Sequence, residues 1–576
     1  MASDYLDPLT LLTLLLPSAD PATDALLDLI KEKCSSKELI IACEENLERV
    51  HRMVVLDEEE DGEESENDSE PEEGRKKKDV PIGVQILRLV RMFSVISNIP
   101  FRRKSASDTV QLFIPELEST IRTLGSKHRF SKSIGRDVLW YSMVLVDRIM
   151  EWVEKKVNVK KVDVEACKDV LCPFISSLID SLSYCIEASL AKRAFKQCFS
   201  KLGVRETLDE GYERGKEVIE KAIESYNGTG GSLLPASPKS AFVFFAHTLL
   251  ESQNTPTILD LYFPITLASI QSNILLDEAL AVLLLSFSSP RLSSQSEISP
   301  ESILIPLLTI LPSLASAHPD PFIRHCTFRV LGLVLSVSPV PLQMQVLKDL
   351  VGRERAGDSN IVGQMRVAAV GLVKDAVLRA LTEVDSNRAG GENMFASPRF
   401  LQTFASVLFS PDPPDVFNET QMKVPSVKDL EEDRMNTELL RLAEVLSLYY
   451  VLDMRDVKNR TGIRDRDNRA NIERTLLTPM RRAVPIWIEA VQAELEKTPL
   501  AMEVNKNQNK KLEAEVGNGK EKVGPEPNAR PFPTLIHEST HDSAHAHISS
   551  SHALVPLISL QMGLERIDDM WRRKYV

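Results

Sequence analysis

The stretch Pro306-Leu-Leu-Thr-Ile-Leu-Pro-Ser-Leu-Ala-Ser-Ala-His-Pro-Asp320-Pro-Phe-Ile-Arg324-His-Cys-Thr-Phe-Arg-Val-Leu-Gly332-Leu-Val-Leu335 decides the fold. Its first half carries an apolar stripe at helical spacing, which buries one face of a helix. Asp320-Pro321 then marks a new start. A capping carboxylate accepts a backbone N–H, and proline in the first helical position gives up no helical hydrogen bond. The second helix opens with apolar residues followed by Arg324, and Gly332 is small enough to let two helices approach. Two antiparallel helices joined by a short turn are expected.

A second segment, Asp358-Ser-Asn-Ile-Val-Gly-Gln-Met-Arg366-Val-Ala-Ala-Val-Gly371, places Arg366 42 residues after Arg324. Helix pairs of the HEAT and armadillo type recur at roughly 40–47 residues. In such repeats Asp320, Arg324 and Arg366 would form a ladder of charge pairs between neighbouring turns. Upstream, 258–271 and 274–287 fit a further pair without that signature. Ser237-Pro238 and Ser299-Pro300 repeat the cap-then-proline start, with proline-directed phosphorylation as the competing reading. Ser397-Pro398 and Ser410-Pro411 fall in an expected loop, where both readings stay open. The fold class is therefore all-α, an irregular HEAT/ARM-like α-solenoid of stacked helix pairs, strongest over 238–385.

Outward from that block, residues 1–56 form an N-terminal helical block in which Ile40, Cys43, Leu47, Val50 and Val54 share a face. Residues 57–79 read as an acidic disordered linker, because a self-repelling charge run cannot offset its ordering entropy. Long amphipathic helices follow over 80–227 and end at Asn227-Gly-Thr-Gly-Gly-Ser232. After the repeats, 386–436 is an irregular insertion around one short helix, Phe400 to Phe409, and 437–498 is helical again. Residues 499–552 form a low-complexity Lys/Glu-rich and His-rich segment. The last helix, 553–576, carries Leu557, Leu560, Leu564, Ile567 and Trp571 on one face, a candidate partner-binding surface.

The formal net charge of -14 is local: twelve acids and no bases lie between Asp57 and Glu73, which leaves 71 acids against 69 bases elsewhere. No basic stripe suits nucleic acid. The apolar stretch Ile303 to Leu314 is shorter than the roughly 20 residues of a membrane span and holds Pro306 and Pro312, so no membrane partner is expected. The acidic N-terminus lacks the positive start of an export signal. Seven sparse cysteines fit reduced thiols. A cytoplasmic, or also nuclear, location follows, and the glycosylation-like triplets at Asn227, Asn418 and Asn459 are read as chance.

The sharpest catalytic signal is His537-Glu538-Ser539-Thr540-His541, with His547 at the place of a third zinc ligand. Ala544 stands where the extended zinc-protease pattern needs its turning glycine, and Pro531 and Pro533 leave little room for a helix before His537. A His-rich polar loop is the expectation, with a zinc hydrolase as the alternative. Cys167 and Cys172, five apart, do not share a helical face and read as structural thiols. No nucleotide or acyl-transfer motif appears, so no cofactor and no enzymatic activity are expected. Ser65 and Ser69 each precede an acid by three residues, which makes them candidates for acid-directed phosphorylation.

The repeat-like middle, the acidic break after the first helical block and the Trp571-bearing last helix together resemble the family of glomulin, the plant aberrant-lateral-root-formation protein and the fungal Yap-binding proteins. The resemblance implies an adaptor. Glomulin-like members cover the RING subunit of cullin-type ubiquitin ligases with a C-terminal HEAT-like region. Yap-binding members assist oxidation of a bZIP factor in peroxide stress. A RING-box/cullin ligase subunit or a bZIP stress factor is thus the implied partner, and a scaffold of a large assembly such as a kinetochore is a further alternative.

Overall fold

The computed structural model opens several of its helices with short polar caps: Asp7, Ser105, Ser131, Ser237 and Asp320 each accept from a backbone N–H of the first turn. It describes residues 7–60, 80–98, 105–155, 161–202, 211–231, 237–250, 259–288, 300–352, 360–385, 393–417, 424–431, 433–497 and 554–575. Among these residues every regular element is helical, an all-α stack. Contacts divide the chain into two compact units, Met1–Ser296 and Glu297–Val576. The division falls inside 238–385, which the repeat pattern treats as one block.

The first unit contains α1 (Pro8–Leu15), α2 (Thr23–Lys33), α3 (Ser36–Glu60), α4 (Ile82–Phe93), α5 (Ala106–Ser126) and α6 (Lys132–Glu154). It continues with α7 (Lys161–Ile186), α8 (Leu190–Cys198), α9 (Tyr212–Gly228), α10 (Pro238–Leu249), α11 (Leu259–Ser272) and α12 (Leu276–Ser288). Helix α3 runs beyond the apolar period into the acidic run as far as Glu60, since glutamate is itself a good helix former. A continuous apolar core reaches from Leu12 through Phe93, Phe113 and Phe174 to Phe244. Helix α7 is its axis: α5, α6, α9 and α10 all pack on it. By length and composition α7 could cross a membrane, but over half of its apolar window is buried inside the unit, as befits a core helix.

Within the 80–227 block the chain breaks between α7 and α8 at Glu187 and Ser189, both in the left-handed region. Asp277 of α12 compensates: its carboxylate accepts from the backbone N–H of Leu190 (2.6 Å) and Ala191 (2.8 Å) and so opens α8.

The second unit contains α13 (Pro300–Ala317), α14 (Pro321–Val337), α15 (Val340–Val351), α16 (Asn360–Asp385) and α17 (Arg399–Leu408). It ends with α18 (Val427–Glu431), α19 (Asp433–Arg455), α20 (Arg466–Ile472), α21 (Thr478–Lys497) and α22 (Val555–Tyr575). A turn of π-helix, Glu473–Leu477, joins α20 to α21. The quoted stretch forms the pair α13 and α14, and α16 packs against α13, α15 and α19. Gly332 is not a close-approach position: a Cβ there would lie 3.4 Å from Leu372 Cδ2, ordinary contact.

Candidate protein-binding surface

Asp320 caps α14 as expected, accepting from the Phe322 N–H at 2.8 Å. Arg324 does not turn to a carboxylate. Its guanidinium donates to the carbonyls of His318 (2.7 Å) and Pro319 (2.9 Å), just past the end of α13. Arg366 sits in the same way at the end of α15, donating to the Val351 carbonyl (3.2 Å), and adds an ion pair to Asp412 (3.0 Å). In place of a carboxylate ladder, the 42-residue register marks a repeated carbonyl clamp. The last carbonyls of a helix lack intrahelical donors and carry partial negative charge, which a five-donor guanidinium satisfies.

The device recurs without any sequence register. Arg441, 1% exposed, donates to Val407 and Leu408 (3.2 Å each) and Ser410 (2.8 Å) at the end of α17 while paired with Glu438 (2.6 Å). In the first unit Arg88 donates to Leu16 and Ser18 (2.8 Å each) past the end of α1.

The apolar face of the last helix is not open to a partner. Leu557, Leu560, Leu564 and Ile567 are buried, because α22 lies on α19 and α21. Gly563 permits the approach, since a Cβ there would stand 3.0 Å from Leu446 Cδ1. Arg481 bridges the contact through Asp568 (2.6 Å) and also binds Glu473. Trp571 meets the Arg469 guanidinium at 4.2 Å and the edge of Tyr449 at 6.4 Å. What α22 presents outward is Ile558 and Met562, each nearly half exposed.

The turn after α19 was not singled out by periodicity, yet it is densely bonded. Asp456, 1% exposed, accepts from Arg460 N–H (2.8 Å), Thr461 N–H (2.8 Å) and the Thr461 hydroxyl (2.7 Å). Asn459, in the left-handed region, donates to Asp465 (2.7 Å) and accepts from Arg464 N–H (2.8 Å). Gly462, at φ 76°, completes the reversal. Arg464 closes the end of α19 by donating to the Val457 carbonyl (3.1 Å) and pairing with Asp453 (3.3 Å). The signal was present as Asn459, Gly462 and the alternating Asp and Arg of 453–467, all turn-forming or cap-forming residues. From this fixed backbone Val457 projects 75% exposed and Met454 47% exposed, beside exposed Arg455 and Lys458. Apolar side chains at a helix end and on the rigid turn that follows it, ringed by charge, are suited to protein contact, because little ordering entropy remains to be lost on binding.

His537, Glu538, His541, His547, Ser65 and Ser69 lie outside the described residues, as do most of the acidic and His-rich segments. Among the described residues no group of three or more His, Cys, Asp or Glu is arranged to hold a metal. All seven cysteines are free thiols. Burial pushes Cys167 up to about 12 and Cys185 up to about 11, and raises Cys43 further, so these three are poor thiolates at neutral pH. Ser397 is buried with its hydroxyl on the Met394 carbonyl, whereas Ser410 is exposed.

Compared with known families, residues 153–516 match the model of the YAP/Alf4/glomulin family. That span runs from the end of α6 to beyond α21 and includes the bonded turn. No curated protein matches the chain.

Proposed function

Because the chain belongs to the YAP/Alf4/glomulin family, we propose that it is a non-catalytic adaptor that binds a protein partner through its second unit. The observation that carries this reading is the turn 453–465, rigid in its backbone and apolar at its tip. Met454 and Val457 are the anchors, and Arg455 and Lys458 form the polar rim.

Within that reading the partner is a RING-box/cullin ligase subunit or a bZIP stress factor. Burial of Cys43, Cys167 and Cys185 makes these three thiols unsuited to supply a thiolate for an oxidation. The free cysteines suit the cytoplasm or nucleus. Affinity capture with full-length protein tests the proposal. A purified RING-box–cullin complex is retained by the wild type and weakened more than about tenfold by Val457→Asp. Retention of neither a RING-box subunit nor a bZIP factor by the wild type sinks the assignment. The non-catalytic part fails if the purified protein holds stoichiometric zinc and a hydrolytic activity that Glu538→Gln abolishes.

A further inference from the structure

Val555, the first residue of α22, lies 58 positions after Lys497, the last of α21, so no short connection forces the two helices together. What holds α22 is the contact itself, made to α19 and α21 with Arg469 of α20 reaching Trp571. Along most of its length that contact is apolar. Leu557, Leu560, Leu564 and Ile567 are buried, and Gly563 brings the helix against Leu446.

At the last turn of α22 the contact is polar and incompletely bonded. Arg481 donates to Asp568 (2.6 Å) and to one carboxylate oxygen of Glu473. Arg481 Nε, the other Glu473 oxygen and Trp571 Nε1 are all buried and have no hydrogen-bond partner. Polar atoms shut away from water without partners weaken a contact, and each is rehydrated when the contact opens. Glu473 itself begins the π-helical turn Glu473–Leu477, a rare form found mostly at functional sites. Segments that open locally are drawn from contacts of this low stability.

Where α22 lifts away it uncovers a groove with Leu446 and Tyr449 of α19 on its floor and Arg481 of α21 at one end. The present occupant defines what that groove accepts. Counted from Leu557, its apolar contacts fall at i, i+3, i+7 and i+10, its glycine at i+6, its acid at i+11 and its aromatic ring at i+14. We propose that α22 is a removable latch, and that the groove beneath it takes an amphipathic helix of a partner protein with this pattern. A second copy of the chain is the poorer occupant, because its α22 offers only the contacts that the tethered helix already makes without the entropy cost of association. The inference is separate from the turn 453–465 and does not depend on the reading given to it.

Fluorescence anisotropy with full-length protein tests the proposal, with a fluorescein-labelled peptide of residues 554–576 as the probe. The tethered helix competes with the probe, so the wild type should bind it weakly and loosening α22 within the chain should admit it. Binding about tenfold tighter is expected for Leu560→Ala, and about threefold tighter for Asp568→Asn, which removes only the pair with Arg481. The same peptide carrying Leu560→Asp should bind none of the three proteins. Thermal melts establish that each variant is folded, and Asp568→Asn, at the less buried end of the contact, carries the test if Leu560→Ala is not. Equal affinity for wild type and variants, no saturable binding to the folded variants, or binding of the Leu560→Asp peptide overturns the proposal. Self-association of the wild type that the unlabelled peptide reverses in analytical ultracentrifugation also overturns it, by assigning the groove to a second copy.

Discussion

The junction between α13 and α14 and the junction between α17 and α19 both close a helix end with an arginine, but they reach it across very different lengths of chain. Arg324 donates to carbonyls five and six residues before it, in a turn open to solvent. Arg441 donates to carbonyls 31 to 34 residues before it, and is itself enclosed with Glu438. A clamp formed within one turn is nearly complete before the chain packs. A clamp formed across an insertion exists only once the unit has folded, and removing it strands a buried charge.

The largest expected effect breaks the distant clamp. Arg441→Ala leaves the buried Glu438 carboxylate without its guanidinium and three carbonyls without donors, a loss of about 3–5 kcal/mol. Arg324→Ala, where water replaces the guanidinium, should cost about 1 kcal/mol. Urea denaturation of the two variants measures the contrast; equal losses would mean that distance along the chain does not govern the clamp. Next in size is Leu560→Ala, which opens a cavity under α22 where it lies on α19. It should cost about 3 kcal/mol and speed proteolysis of the last helix in limited digestion. Unchanged protection would show that α22 is held by Arg481 and Trp571 alone.

The same contrast explains what could be read from the sequence. The start at Asp320-Pro321 and the apolar stripe of Leu557, Leu560, Leu564 and Ile567 depend on neighbours within a few turns, and both were legible. So was the family resemblance, which the match over 153–516 bears out. That the stripe lies on α19 and α21, and so is closed to a partner, depends on residues as far off in sequence as Leu446 is from Gly563, which periodicity does not encode. The bonded turn at 453–465 lacks an apolar period altogether, so its Asn459 registered only as a chance triplet. A cleft of about 830 Å³ beside α7 is a tertiary product in the same sense, since it is lined by residues of α5, α7, α9 and α10 together.

Two capping aspartates extend the comparison. Asp277 caps α8 from 86 residues away, and burial, then the neighbouring Glu278 carboxylate, push it up to about 6, with His247 acting in the opposite sense. In the unfolded chain it titrates near 3.8. The native state therefore holds an extra proton between those values, and the contribution of Asp277 to stability falls as pH rises from about 4 to about 6. Over that range wild type should lose on the order of 2 kcal/mol relative to Asp277→Asn, with no further divergence above about pH 7. Parallel stability curves for the two proteins would remove the buried-cap explanation.

Asp320 should show the smallest effect, because everything it does is local and exposed. Its carboxylate satisfies the single N–H of Phe322, and Pro321 already fixes the first helical φ whether or not the cap is present. Asp320→Ala frees one donor that water can reach, a loss of about 1 kcal/mol. Asp320→Asn keeps an acceptor oxygen in the same place and removes only the charge, so it isolates the interaction with the helix N-terminus, roughly 0.3–1 kcal/mol and screened by salt. Urea denaturation at low and high ionic strength resolves the two parts. If Asn is as damaging as Ala at high salt, the hydrogen bond to Phe322 contributes nothing, and the local cap is no more than the proline beside it.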